Sequence, residues 1–250
     1  MKYIDVSEHQ GIIDFTKVKG NVDGVIVRVG YGKGNIDKQF ERNIKECNRL
    51  EIPVGAYWFS YAKTVPEAKA EADAILKAVA PYRLELPISY DFEYDSVTNA
   101  QKCGVNVTKA LASDMVRAFC NAIEAAGYWA LNYANPDFLS RYFDTSIPQR
   151  YGLWLASWSK NVNLKKPPRT CAIWQWGGTT VPGISGSVDT NESYTDFATL
   201  ISKNGMNHLK DKPSIKDEAI KWASSAGLEC NEEIAVALYK YHKMFGSVEK

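Results

Sequence analysis

The sequence predicts an α/β fold: a TIM-like (β/α) barrel with reduced later helices, plus a small C-terminal helical module. Apolar and β-branched runs alternate with helical patterns through the first half, which is typical of parallel strands joined by crossover helices. Eight such runs precede residue 200, and the gaps between the last of them favour loops. Two further helical patterns lie beyond residue 204 and predict the module.

The first five predicted strands are separated by intervals long enough for helices. We place these strands at residues 2–7, 24–31, 53–61, 86–94 and 128–133, and the helices at residues 38–50, 66–80 and 108–126. Pro66 suits a first helical turn, Thr108 can cap a helix, and Gly127 can adopt the left-handed conformation that ends one. This half of the chain therefore predicts parallel strands covered by helices.

The second half predicts three strands joined by loops, at residues 153–158, 172–176 and 187–190. The Pro- and Gly-rich gaps between them disfavour helices, and a parallel crossover usually contains one. We therefore expect loop connections, which allow at least one strand to run antiparallel. The predicted domains are a barrel at residues 1–204 and a helical module at residues 205–250, with helices near 214–226 and 231–244. Because two helices bury little core alone, the module is expected to pack on the barrel or to pair with a second copy of itself.

The composition argues against several classes of function. With 30 Lys and Arg against 29 Asp and Glu, the net charge of +1 gives no electrostatic reason to bind nucleic acid. No apolar run approaches the length of a transmembrane helix, so no membrane insertion is expected. His9 is the only histidine of the predicted barrel, which disfavours His-containing triads and multi-histidine metal sites. We predict no cofactor, and proton chemistry carried by carboxylates.

The cysteines and the N-terminus bear on the cellular compartment. The five cysteines are odd in number and widely spaced, which favours reduced thiols over a disulfide framework. The N-terminus reads directly as a strand, without the apolar core of a signal peptide. We therefore expect synthesis in the cytoplasm and, for any action outside the cell, another route of release.

Two carboxylates mark the end of the fourth predicted strand. Asp91 and Glu93 are two residues apart, so in an extended strand they share a face. The C-terminal ends of barrel strands carry the catalytic groups in β/α barrels. Two carboxylates close together there push their pKa values apart, so that one can act as an acid and the other as a base. The alternative interpretation is an ordinary acidic loop in which both groups are solvated.

Two more carboxylates are predicted to lie at the same rim. Asp5 ends the first predicted strand and Asp189 ends the last, and these strands are neighbours if the barrel closes. Aromatic residues accompany the four acids near the strand ends: Tyr57, Phe59, Tyr61, Tyr133, Trp154, Trp174 and Trp176. An acidic, aromatic cleft suits a neutral or cationic polyhydroxylated ligand, whereas a divalent-metal site is the competing interpretation.

Five motifs in this order and spacing resemble one known family. They are DVSEHQG from Asp5, GAYWF from Gly55, YDFE from Tyr90, WQW from Trp174 and VDTN from Val188. The set is similar to the glycoside hydrolase family 25 lysozymes, which are N-acetylmuramidases, and it covers about residues 1–200. The resemblance implies a flattened β/α barrel with reduced later helices. Trp58 departs from the pattern, since many members have His there; because it alternates away from Tyr57 and Phe59, we expect the chemistry to be intact.

The resemblance also implies roles for individual residues. Glu93 would be the general acid, and Asp91 would stabilise the 2-acetamido group of the substrate as that group attacks C1. A nucleophilic Asp91, or an inverting route with Asp5 or Asp189 as the base, stays open. The residues expected to bind or position substrate are Asp5, Asp189, Tyr57, Phe59, Tyr133, Trp154 and Gln175. Arg28 is added as a candidate that faces inward and pairs with an acid; the alternative is an arginine on the helix-facing side of its strand.

The implied activity is hydrolysis of the β-1,4 bond between N-acetylmuramic acid and N-acetylglucosamine in bacterial peptidoglycan. A lysozyme without a signal peptide suggests a phage endolysin that accumulates in the host cytoplasm and reaches the wall after holin-type release. Residues 217–245 weakly resemble a shortened S-layer-homology unit, which implies wall anchoring or homo-oligomerisation through the C-terminal helices. The alternatives are an inactive carbohydrate-binding barrel and a metal-dependent barrel hydrolase.

Overall fold

The computed structural model describes residues 1–158, 167–209, 215–228 and 231–245. The chain divides into two compact units, Met1–Leu209 and Lys210–Lys250. The predicted division between residues 204 and 205 lies slightly before this boundary.

Among the described residues, nine strands form one sheet. They are β1 (Lys2–Val6), β2 (Gly24–Tyr31), β3 (Asn35–Ile36), β4 (Val54–Phe59), β5 (Ile88–Asp91), β6 (Ala130–Ala134), β7 (Leu153–Ala156), β8 (Ile173–Thr179) and β9 (Val188–Ser193). Neighbours follow the order β1-β9-β8-β7-β6-β5-β4-β2-β3, and β1 also pairs with β2, so eight strands close a barrel and β3 lies outside the ring. Only β9 is antiparallel to its neighbours in that ring. The predicted barrel, with one reversed strand, is confirmed.

Ten α-helices accompany the strands in the part of the chain that the structure describes. They are α1 (Phe15–Val18), α2 (Phe40–Arg49), α3 (Val65–Val79), α4 (Tyr94–Lys102), α5 (Lys109–Ala125), α6 (Pro136–Arg141), α7 (Ser146–Tyr151), α8 (Phe197–Lys203), α9 (Ile215–Ser225) and α10 (Glu232–Phe245). Helices α6 and α7 have six residues each, so the later helices are indeed reduced. Part of the loop predicted after β7, residues 159–166, lies outside the described residues.

Helix α4 corrects the sequence prediction of a strand over residues 86–94. The strand ends at Asp91, and Glu93 is the N-cap residue of α4. The Glu93 main-chain N–H donates to Ser96 Oγ at 3.0 Å, a contact that stabilises the helix start. The alternation of apolar and polar residues continues through Glu93, so the strand pattern concealed this start.

Alternation along the strands divides the barrel core into two layers. On β2, Val25, Val27 and Val29 pack in the cluster that also contains residues of α2, α3 and α5. Ile26 belongs instead to a second cluster, inside the ring, with Tyr3, Leu131, Trp154 and Ile173. The inner cluster supports the strand ends from below, and polar residues replace apolar ones toward one end of the ring.

Asn207 anchors residues 205–209 at the other end of the barrel. Its Nδ2 donates to the main-chain oxygens of Leu84 and Leu86, at 3.1 and 3.0 Å. Its Oδ1 accepts from the Trp129 main-chain N–H at 2.7 Å. These bonds satisfy buried main-chain groups just before β5 and β6.

The second unit is a helical pair, as predicted. Ala219 and Ala223 of α9 are buried with Ala235 of α10. The Trp222 ring packs against Tyr239 and His242, with ring centroids 5.9 and 5.1 Å apart. Small residues at the contact let the two helices approach closely.

No helix among the described residues combines the length and the apolar character needed to cross a bilayer. Cys47, Cys103, Cys120 and Cys171 are free thiols, and Cys230 lies outside the described residues.

Glu71 is a buried carboxylic acid that holds the segment following β4. It is 4% exposed, and it accepts hydrogen bonds from Ser60 Oγ and from the Tyr61 main-chain N–H, the latter at 2.9 Å. Ser60 Oγ also lies 2.8 Å from the Tyr90 hydroxyl. Burial raises the pKa of Glu71 to about 7, although the Ser60 hydroxyl opposes that rise.

We expect Glu71→Gln to stabilise the protein at pH 8 and to leave its stability unchanged at pH 4. The pKa of Glu71 in the folded protein, about 7, exceeds the ordinary glutamate value of 4.5. The destabilisation by its charge is therefore absent below pH 4.5 and complete above pH 7. The amide keeps an acceptor for Tyr61 and loses the charge, which should raise the free energy of unfolding at pH 8 by roughly 1–3 kcal/mol. Urea unfolding at both pH values measures this difference, and an equal shift at pH 4 would contradict the explanation.

Candidate active site

Four carboxylates surround one mouth of the barrel. Asp5 and Asp91 lie at the C-terminal ends of β1 and β5. Asp189 is the second residue of β9, and it lies opposite Asp5 in the pairing of β1 with β9. Because β9 is antiparallel, its start lies at the rim where the parallel strands end. The sequence therefore predicted the right rim for Asp189 but placed it at the wrong end of its strand.

Asp91 and Glu93 form a hydrogen-bonded pair. They do not share one strand face as predicted, since Glu93 lies beyond the strand end, at the start of α4. Burial raises the pKa of both carboxyls, and the nearby Glu93 charge raises that of Asp91 further. Asp95 and Asp189 also raise the pKa of Glu93, whereas its hydrogen bond with Asp91 lowers it.

Burial therefore favours the protonated form of both carboxyls, and the rise in pKa is greater for Asp91 than for Glu93. Burial explains the difference: Asp91 is buried at 6% exposure, while Glu93 is only partly buried. The other oxygen of Asp91, Oδ1, is buried and has no hydrogen-bond partner among the described residues.

Asp5 is held by two side-chain amides. Its Oδ2 accepts from Asn191 Nδ2 at 2.8 Å and from Gln175 Nε2 at 3.0 Å. Burial and the charge of Asp189, together with a weaker effect of Glu93, raise the pKa of Asp5 to about 7, although the two amides oppose the rise. Protonation of Asp5 near neutral pH therefore changes the charge of the site.

The side-chain amides of Gln175 and Asn191 also connect Asp5 to a group of aromatic side chains, here called the aromatic floor. Tyr133 OH donates to Gln175 Oε1 at 3.0 Å, and Trp154 Nε1 donates to Asn191 Oδ1 at 2.7 Å. The Trp154 ring meets the rings of Tyr57 and Tyr133 edge to face, with centroids 6.0 and 4.9 Å away. Trp154 is only 2% exposed. It therefore supports the floor from beneath instead of forming an open wall.

Phe59 and Tyr61 lie on the β4 side of the mouth. Their ring centroids are 5.2 Å apart and both side chains are partly buried. Phe59 lies opposite Asp91 in the pairing of β4 with β5. This register brings the β4 aromatics beside the acid pair.

Arg28 has two acidic partners, and neither belongs to the four carboxylates. Its Nε donates to Asp37 Oδ2 at 2.7 Å and its NH2 group to Glu8 Oε1 at 3.0 Å. The Asp37 side chain has no exposed surface, so the pairing compensates a buried charge. The Arg28 charge also opposes the rise in the pKa of Asp91. Arg28 therefore pairs with acids outside the group of four.

Two predicted cleft residues face away from the mouth. Trp174 and Trp176 pack in or against the helix-side cluster, and Trp174 Nε1 donates to the Ser157 main-chain oxygen at 3.1 Å. Gln175 lies between them and points to Asp5. Alternation along β8 therefore directs only the middle residue of WQW toward the acids.

Sequence reasoning missed two residues of this network, Asn191 and Trp158. Trp158 Nε1 donates to Gln175 Oε1 at 3.1 Å. The strand pattern could have identified both residues, since residues two or four apart on a strand share a face. Asn191 is two residues after Asp189, and Trp158 is four residues after Trp154.

The arrangement can deliver one proton and then hold negative charge. A protonated carboxyl of this pair can supply a general acid, and an ionised one can stabilise a developing cation. Among the described residues, no group of three or more His, Cys, Asp or Glu side chains is spaced to hold a metal ion.

Comparisons with known proteins place the fold and the motifs in context. The family model described as Glycosyl hydrolases family 25 matches residues 4–184. The modular autolysin LytC from Streptococcus pneumoniae, solved in complex with a synthetic peptidoglycan ligand, is 31% identical with a TM-score of 0.63; the match covers 76% of this chain and 46% of LytC. The chain thus spans less than half the length of that relative.

Two further solved structures share the fold. The bacterial lysozyme from Streptomyces coelicolor is 21% identical with a TM-score of 0.63, covering 84% of this chain and 97% of that one. The catalytic domain of endolysin ply40, from a bacteriophage of Listeria monocytogenes, is 16% identical with a TM-score of 0.62, covering 80% and 96%. No curated protein sequence matches the chain significantly.

Proposed function

Because the chain belongs to family 25 of the glycosyl hydrolases, we propose that it hydrolyses the β-1,4 bond between N-acetylmuramic acid and N-acetylglucosamine in bacterial peptidoglycan. The observation that carries the proposal is the hydrogen-bonded Asp91–Glu93 pair at the barrel mouth, with Asp5 and Asp189 on the strands that close the ring. The similarity to an autolysin solved with a peptidoglycan ligand supports the choice of substrate.

Substrate binding would transfer a proton from Asp91 to Glu93, the general acid. The acetamido N–H of muramic acid donates to the Asp91 carboxyl at the end of β5. A hydrogen bond to the charged form lowers a carboxyl pKa, so the proton passes along the existing hydrogen bond from Asp91 to Glu93. Glu93 is the more accessible of the two acids and faces the glycosidic oxygen.

Bond cleavage then proceeds by participation of the substrate. Glu93 gives its proton to the leaving oxygen, while the acetamido oxygen attacks C1 and forms a cyclic oxazolinium ion. The Asp91 carboxylate stabilises the positive charge of that ion. Water next attacks C1, Glu93 takes back a proton from it, and the acetamido group is restored. Two displacements at C1 give net retention of configuration.

The remaining residues would position the glycan. Asp5 and Asp189 would keep negative potential around Glu93, which helps it to hold the proton that it receives when substrate binds. Tyr57, Phe59 and Tyr133 offer partly apolar surfaces to the sugar rings above a floor supported by Trp154. Gln175 fixes the orientation of Asp5.

Mass spectrometry of the fragments released from purified peptidoglycan tests the proposal. We expect disaccharide-containing fragments with new reducing ends on N-acetylmuramic acid, and the same products in EDTA. Reducing ends on glucosamine or cleaved peptides would contradict the bond assignment. Loss of all products in EDTA would indicate the metal-dependent hydrolase, and absence of products under every condition would indicate an inactive binding barrel.

A further inference from the structure

Trp158 is an exposed aromatic residue at the active-site mouth. It follows β7 at the C-terminal rim and is 59% exposed. A single exposed apolar side chain is ordinary on a protein surface. Trp158 differs because its one polar atom, Nε1, donates at 3.1 Å to Oε1 of Gln175, a residue with 4% exposure. The exposed ring is therefore held in one orientation by a buried partner.

The main chain beside Trp158 is fixed as well. The Ser157 main-chain N–H donates to the Gln175 main-chain oxygen at 3.0 Å, and the Ser157 oxygen accepts from Trp174 Nε1 at 3.1 Å. Both bonds tie the residue preceding Trp158 to β8. An ordered backbone and an anchored indole reduce the entropy that a ligand would otherwise lose by immobilising the ring.

Gln175 also joins Trp158 to Asp5, one of the four acids at the mouth. The amide whose oxygen accepts from Trp158 donates through Nε2 to Asp5 Oδ2 at 3.0 Å. One side-chain amide therefore separates the indole from the acidic cluster. Tyr133 OH donates to the same Gln175 oxygen at 3.0 Å.

We propose that Trp158 is a stacking platform for a pyranose ring of the glycan strand, on the β7–β8 side of the mouth. The inference rests on the proposed glycan substrate and adds a binding residue to it. A flat indole face matches the apolar C–H face of a β-linked sugar, and stacking removes exposed apolar surface of both from water. The indole N–H keeps its bond to Gln175 throughout, so binding leaves no polar atom unpaired.

Two substitutions separate stacking from a merely structural role. Trp158→Ala removes both the ring and the hydrogen bond, whereas Trp158→Phe removes the hydrogen bond and keeps an aromatic face. With soluble uncross-linked glycan strands, we expect Trp158→Ala to raise KM about tenfold with kcat within about twofold of wild type. Trp158→Phe should keep KM within about threefold. If Phe and Ala are equally impaired, the hydrogen bond to Gln175 is what matters and the platform does not exist; an unchanged KM in Trp158→Ala overturns it too.

Binding without turnover keeps this test independent of the proposed chemistry. Calorimetric titration of the same strands into Glu93→Gln and Glu93→Gln/Trp158→Ala should give about tenfold weaker binding in the double variant. Equal affinities refute the platform, even if the wild type proves inactive or cuts another bond. Tyr194→Ala is the matched control, because Tyr194 is 48% exposed and lies at the opposite end of the barrel, where its N–H donates to the Ala172 oxygen. It should leave KM and affinity unchanged.

Discussion

Replacing Glu93 with Gln is expected to lower kcat on peptidoglycan by about 10³-fold, the range associated with loss of a positioned general acid. The amide is close in size to the carboxyl and cannot release a proton to the leaving oxygen. The folded protein should not lose stability, because the raised pKa of Glu93 means that its charge is unfavourable at this site. Release of reducing ends and the thermal midpoint at pH 7 measure the two effects.

Glu192→Gln is the control for Glu93→Gln. Glu192 is an exposed carboxylate of β9, directly after Asn191. Its replacement should leave kcat within about twofold of wild type, as for most surface changes away from a site. Activity of Glu93→Gln within tenfold of wild type would remove Glu93 as the acid. A collapse of its thermal midpoint would assign it a structural role instead.

Asp91→Asn should lower kcat by about 10²–10³-fold, because the variant can neither hold the pair's proton nor stabilise a cationic intermediate. If the acetamido group is the attacking nucleophile, glycan strands that lack the N-acetyl group of muramic acid should be equally poor substrates for the wild type. Combining the variant with that substrate should then cost little more than either change alone, since both remove one interaction. Reducing-end kinetics on matched strands supply the four rates.

Glycan strands with and without the N-acetyl group of muramic acid also distinguish attack by the acetamido group from the alternative mechanisms. A covalent Asp91 mechanism would leave the wild type active on strands without the N-acetyl group, because the substrate would contribute no bond to C1. An inverting route with Asp5 or Asp189 as base would give the opposite anomer as first product. Proton NMR during the first turnovers identifies the anomer, and an α product would exclude the participation mechanism.

The barrel could be predicted from sequence because its signal is local. Period-two alternation identifies each strand, and the short gaps after residue 153 identify the reduced helices. Helix α4 was missed for the same reason, since the alternation through Asp91 and Glu93 continues past the true strand end. The reversal of β9 was expected only in outline, because strand direction depends on loop paths that a pattern of residue types does not encode.

The site was predictable in its acids but not in its hydrogen bonds. The motifs named Asp5, Asp91, Glu93 and Asp189, and strand closure implied their common rim. The link from Trp158 through Gln175 to Asp5 requires the register of three strands, which no local pattern contains. Wall anchoring, homo-oligomerisation through the C-terminal helices and holin-dependent release stay predictions.

The bonds to Asp5 also govern when the protein becomes competent during synthesis. Asp5 and Asn191 are 186 positions apart, and Gln175 is 170 positions from Asp5. Contacts of such sequence separation form late and slowly in folding. A nascent or truncated chain that ends before β9 lacks Asp189 and Asn191 and cannot complete the ring. A fragment that ends short of the last strand therefore does not carry the assembled acids.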